Sequence, residues 1–139
     1  MARRHGLLTE LQLKVLELRV KHGLTQEEVA KLLNTTRENV AMIERRARRN
    51  VKLAADTLAA YNRLRAAAIV EVKPNTHLVE IPKLVVEAGD RAGVKLKVNF
   101  TKVYDEVKFK ARSCIEGVRV AKPFNIVIYR DGDVEVQAP

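Results

Sequence analysis

Apolar and polar positions change their period near residue 69. Before it, apolar residues recur at intervals of three and four, the signature of helices with one buried stripe; beyond it, such intervals alternate with strictly alternating runs. Leu11, Val15 and Leu18 place a first helix that reaches about Lys21 and is closed by His22-Gly23. A second, short helix spans Gln26 to Leu33, burying Val29, Leu32 and Leu33, with Ala30 small enough for a crossing helix to approach. A third runs from Thr36 to about Asn50 with Thr36, Val40, Ile43 and Ala47 inward. Thr9, Thr25 and Thr35 stand three residues before Gln12, Glu28 and Glu38, the spacing at which the two side chains bond each other's backbone amides at a helix start. Asn34 enters the left-handed region readily, so the second helix turns sharply into the third and the two cross steeply. Asn50 to about Ala68 reads as a fourth helix, with Ala54, Leu58 and Tyr61 in phase; it supports the helical core or makes a dimer contact.

Beyond it, Ile69 to Lys73 is a strand ended by Pro74-Asn75, and Leu78, Ile81, Val85 and Ala88 mark a helix with Pro82 in its first turn and Gly93 at its close. Val94 to Val98 alternates as a half-buried strand. Thr101 then starts a helix with Val103, Val107, Ala111 and Cys114 on one face, closed by Gly117. Val118 to Ala121 and Phe124 to Tyr129 are strands, and Asp131-Gly132 is a two-residue hairpin turn into Val134 to Gln137. The predicted fold class is α plus α/β: a four-helix helix-turn-helix domain over residues 1–68, then a small β-α-β-α-β-β domain over 69–139. Domains this small are near the lower limit for folding alone, so the second is expected to find burial on its neighbour or on a second copy.

Charge gives this frame a direction. The chain has 26 Lys and Arg against 17 Asp and Glu, net +9; 14 basic and 7 acidic residues precede residue 71, 12 and 10 follow it. A basic first half seeks a polyanion. On the third helix Glu38, Ala41, Met42, Arg45 and Arg49 face outward, flanked by Arg37 and Arg48 on one side and Arg46 on the other; Glu44 is placed to pair with Arg48 one turn on. Other chemistry is sparse. Cys114 is alone, which excludes an internal disulfide and a thiolate zinc site, and it reads as a buried inert thiol. Asp105, Glu106, Asp131 and Asp133 form no metal motif, His5, His22 and His77 are scattered, and neither a phosphate-binding loop nor a nucleophile elbow occurs. The expectation is a protein without metal, cofactor or catalytic residues. No signal segment or membrane span is read, which points to the cytoplasm.

The run Thr25-Gln26-Glu27-Glu28-Val29-Ala30-Lys31-Leu32-Leu33-Asn34-Thr35-Thr36-Arg37-Glu38-Asn39-Val40-Ala41-Met42-Ile43-Glu44 resembles a sigma-factor region 4 or LuxR-type helix-turn-helix, with Asn34 at the turn where glycine is usual. With the Ile43-Glu44-Arg45-Arg46-Ala47 continuation and the small mixed C-terminal half, the whole chain resembles the archaeal Tfx family of DNA-binding regulators. The resemblance implies a sequence-specific transcription regulator on double-stranded DNA, with recognition helix 36–49 in the major groove and the preceding helix across the backbone. In that docking Arg37, Glu38, Asn39, Ala41, Met42 and Arg45 are the base contacts. Arg37 donates to a guanine, Asn39 pairs with an adenine if it points inward, Glu38 accepts from a cytosine amine unless its cap claims it, and Met42 meets a thymine methyl. Gln26, Thr36, Arg46, Arg48, Arg49 and Lys52 are the phosphate contacts. The C-terminal half is left with dimerisation, effector sensing or contact with the transcription machinery. Two other classes fit the basic helix: a nucleic-acid enzyme targeted by a helix-turn-helix, and a module that docks on RNA or an acidic protein.

Overall fold

The computed structural model describes residues 4–139; the reading of Met1 to Arg3 as part of a start without a signal segment lies outside the described residues. The chain packs as two units, one up to Leu58 and one from Ala59 to Pro139. No helix among the described residues is long and apolar enough to cross a membrane.

The first unit opens with a small antiparallel hairpin, β1 (Arg4–His5) and β2 (Leu8–Thr9), which the sequence pattern did not reveal. Helix α1 (Glu10–Leu16) starts as expected: the Thr9 hydroxyl accepts from the Gln12 amide at 3.1 Å and the Gln12 side chain accepts from the Thr9 amide at 3.0 Å. It widens into a π-helical turn, Glu17–Lys21, and the chain reverses at Gly23, φ 66°. Helix α2 (Gln26–Leu32) begins with the same reciprocal bonds between Thr25 and Glu28. Val15, Leu18, Val29, Ala30 and Val40 form the core, with Leu24, Leu33 and Ile43 packed against it.

Three residues expected inward lie outside it, among them Thr36, which is exposed where it caps the next helix. Leu32 is 64% exposed, because turning Ala30 inward along with Val29 leaves a residue two positions after Ala30, about 200° round the helix, facing away. Leu11, half exposed, sits a full turn before Val15, the first α1 residue that the core reaches.

Asn34 takes the left-handed conformation, φ 53°, and α3 (Arg37–Leu64) follows after two residues. Its start is one residue later than the sequence suggests. The Thr36 hydroxyl accepts from the Asn39 amide at 3.1 Å, while Thr35 accepts from the Asn39 side chain at 3.0 Å, so Glu38 belongs to no capping box. The expected third and fourth helices are one element of 28 residues. Asn50 does not end the helix, because its side-chain amide donates to the Leu7 carbonyl at 3.1 Å; Thr57 likewise satisfies its hydroxyl on the Leu53 carbonyl at 2.8 Å.

The second unit is a three-stranded antiparallel sheet in the order β3 (Ala66–Val72), β6 (Phe124–Tyr129), β7 (Val134–Gln137). Val70 lies opposite Ile126, and Ile126 opposite Val136. Helices α4 (Ile81–Arg91), entered through a 3-10 turn at Leu78–Glu80, and α5 (Phe100–Lys110) contribute Ile81, Val85, Ala88, Val103 and Val107 to one core with Val72, Ile126 and Ile128. The predicted class therefore holds: a helical helix-turn-helix region followed by a small mixed domain.

Five local expectations within this unit change. The fourth helix, expected to reach about Ala68, ends at Leu64, and the strand expected from Ile69 begins at Ala66, because Ala66 and Ala68 pair with Tyr129 and Ile128. Val94, Leu96 and Val98 are half-buried between exposed Lys95 and Lys97, as the alternation demands, yet no strand forms; the Lys97 amide makes one bond, to the Gly132 carbonyl. Asn99, not Thr101, caps α5, accepting from the Lys102 amide at 2.8 Å. Gly117, φ 64°, does not close that helix but turns a hairpin between β4 (Ile115–Glu116) and β5 (Arg119–Val120). Asp131-Gly132 belongs to a three-residue loop, because the Tyr129 amide bonds the Asp133 carbonyl. Gly132 is buried at φ 96°, and a Cβ there would press on the Lys95 carbonyl oxygen. Gly132→Ala is expected to destabilise this unit by roughly 2 kcal/mol or more, read as a lowered unfolding midpoint with intact α3 helicity.

Candidate nucleic-acid interface

Three α3 residues are buried, Val40, Glu44 and Ala47, and only one of them is charged. Glu44 is the joint of the first unit. Its Oε1 accepts from Arg19 Nε at 2.7 Å and from Gln26 Nε2 at 3.1 Å, and its Oε2 accepts from Arg48 Nε at 2.7 Å. Arg19 also donates to the Leu24 carbonyl at 2.7 Å. One carboxylate thereby ties the end of the first helix, the start of α2 and the early turns of α3. Burial by itself raises the Glu44 pKa, but the bonds from Arg19, Arg48 and Gln26 together outweigh it and hold the carboxyl at about 2. Sequence reasoning found the Arg48 pairing and missed Arg19 and Gln26. The available signal was position: Glu44 lies four residues after Val40 and three before Ala47, on the inward line.

This joint sorts the basic residues. Arg48 and Gln26 each spend a donor on Glu44, and Lys52 pairs with Asp56 at 3.0 Å on the exposed surface. Arg37, Arg45, Arg46 and Arg49 are exposed and have no carboxylate within ion-pair distance among the described residues. Glu38 is exposed, and Ala41 and Met42 are half-buried beside it on the outward arc. Gln26, Ala41, Glu44, Arg45 and Arg48 line a shallow depression of about 310 Å³. Asn39 gives its side-chain amide to Thr35, and the Thr36 hydroxyl is taken by the cap, which leaves the α3 N-terminus a rigid edge.

The surface so formed has the chemistry of a nucleic-acid reader: a pinned helix start, a small outward residue between polar and apolar neighbours, and unpaired guanidinium groups further along. Residues 6–53 match the family described as sigma-70, region 4, and residues 54–136 match the family described as the C-terminal part of the DNA-binding protein TFX. A protein of Methanocaldococcus jannaschii, provisionally named a transcriptional regulatory protein, is 44% identical over 94% of this chain and 95% of its own length. A similarly named protein of Methanococcus vannielii is 34% identical over 94% of this chain and 92% of its length. The DNA-binding protein Tfx of Methanothermobacter thermautotrophicus is 32% identical over 93% of each chain. Fold and matches together define a DNA-binding transcription regulator of the helix-turn-helix class. The chain belongs to the Tfx family, and the three relatives just named are archaeal.

Proposed function

We propose that the chain binds one particular double-stranded DNA sequence, with Arg37 to Arg49 of α3 in the major groove, and has no catalytic step. The observation that carries the reading is the division of the arginines by Glu44. Arg19 and Arg48 each give Nε to Glu44, with Arg48 keeping the rest of a half-exposed guanidinium for phosphate, while Arg37, Arg45, Arg46 and Arg49 are held out to solvent on a helix whose start is fixed. Arg37, Glu38, Asn39, Ala41, Met42 and Arg45 face bases; Arg37 and Arg45 carry the discrimination, since a guanidinium pairs with guanine through two parallel bonds. Gln26, Thr36, Arg46, Arg48, Arg49 and Lys52 contact phosphate. The relatives are named as regulators rather than by a reaction, which supports a binding role. A DNA partner places the protein in the cytoplasm, and the second unit is assigned to pairing with another copy or to contact with the transcription machinery.

Selection from a random duplex library tests the reading. The expected result is one enriched site, bound roughly 10- to 100-fold more weakly by Arg37→Ala, with relaxed preference at a single base pair. Enrichment of nothing above the starting pool would sink sequence-specific recognition. Equal enrichment from single-stranded or RNA libraries would favour a different nucleic acid.

A further inference from the structure

Along α3 the inward line Val40, Glu44, Ala47 does not stop where the first unit's core stops. It continues as Val51, Ala54, Leu58 and Tyr61, advancing by four and three residues throughout. Such a 3.5-residue repeat is the seam by which one helix packs along another. The first three positions are buried, whereas Val51, Leu58 and Tyr61 are 48%, 59% and 56% exposed and Ala54 is exposed too. Nine of the fourteen residues from Val51 to Leu64 are apolar, including Leu53 and Leu64, both exposed. A helix this apolar around most of its circumference is normally covered.

We infer that this seam pairs with the same seam of a second copy of the chain, as an antiparallel two-helix contact. The seam is complementary to itself, and nothing beside it repels a second copy: the flanking positions, Asn50, Ala55, Thr57 and Asn62, are all uncharged in a chain that is 31% charged. The charges of this stretch, Lys52, Asp56 and Arg63, fall together on the opposite side, with Lys52 and Asp56 paired to each other at 3.0 Å. Side-chain size sets the direction. Antiparallel pairing brings Ala54 of each copy against Leu58 of the other and Val51 against Tyr61, small upon large in every layer, whereas parallel pairing leaves Ala54 facing Ala54 and Tyr61 facing Tyr61.

This inference rests on the reading of the chain as a DNA-binding protein that pairs, but puts the pairing on α3 rather than on the second unit; it is tested without DNA so that the two readings fail separately. Sedimentation of the full chain over a concentration series is expected to give twice the 15.7 kDa of one copy. Leu58→Glu changes an exposed side chain, so its circular dichroism stays that of the wild type while the dimer weakens roughly 100-fold or more. Under mild oxidation Ala54→Cys with Leu58→Cys is expected to cross-link two copies and Ala54→Cys alone is not. A wild-type chain that stays at one copy throughout the series overturns the inference, as does a Leu58→Glu variant as dimeric as the wild type. Cross-linking by Ala54→Cys alone overturns the antiparallel direction.

Discussion

Glu44→Ala is expected to lower the unfolding midpoint of the first unit by roughly 12–24 °C, the equivalent of about 3 kcal/mol in a unit of this size. The substitution removes the acceptor of three side-chain bonds and leaves Arg19, Gln26 and Arg48 crowded together without a counter-charge. Arg19 is 29% exposed at its side chain and Arg48 54%, so part of their cost is recovered by water; this keeps the estimate at the lower end for breaking a buried pair. Glu44→Gln keeps the volume and one acceptor oxygen and is expected to lose less. The same linkage acts through pH. The carboxyl titrates at about 2 in the folded chain against 4.5 ordinarily, so its stabilisation is complete above pH 4.5 and is lost as the pH falls towards 2. Acid titration of the helical signal should show the loss in that window for the wild type and a much smaller one for Glu44→Gln. A wild-type midpoint unchanged by Glu44→Ala would remove the carboxylate from its role as the joint.

Raising the salt fourfold, from 50 to 200 mM, is expected to weaken binding to the selected duplex by about 150-fold, if Arg46, Arg48, Arg49 and Lys52 each displace one counterion. Two copies on one site would square the factor. Arg46→Ala and Arg49→Ala should each lower the slope of log affinity against log salt by about one and weaken all sequences alike, whereas Arg37→Ala should leave the slope nearly intact and change the preferred base. Arg48→Ala is the diagnostic case. Its guanidinium also bonds Glu44, so it should lower the slope and the stability together, and filter binding beside thermal melts separates the two. A slope unaffected by either Arg46 or Arg49 would place the duplex on another face.

Much of this surface was legible because caps are local. Thr9 with Gln12 and Thr25 with Glu28 act over three residues, and the structure forms both boxes. The third start slipped by one residue because two threonines stand side by side, and only tertiary packing decides which hydroxyl meets the Asn39 amide. Asn50 suggested a break for the same local reason, and a distant carbonyl, that of Leu7, cancelled it. Val94 to Val98 kept its alternation but not its strand, since pairing depends on a partner that periodicity does not supply. The Glu44 joint escaped because its donors come from residues 19, 26 and 48, of which only the last is near in sequence.

The unbroken course of α3 through Asn50 makes the helix a phase-keeping shaft. One residue inserted after Asn50 would rotate Val51, Ala54 and Leu58 by about 100° about the helix axis relative to the arginines of the same helix, while seven would return them almost to their original phase. Cooperative binding to paired sites should therefore rise and fall with insert length as a periodic function rather than decline steadily, and a chimera joined within this helix works only if the cut preserves its turn.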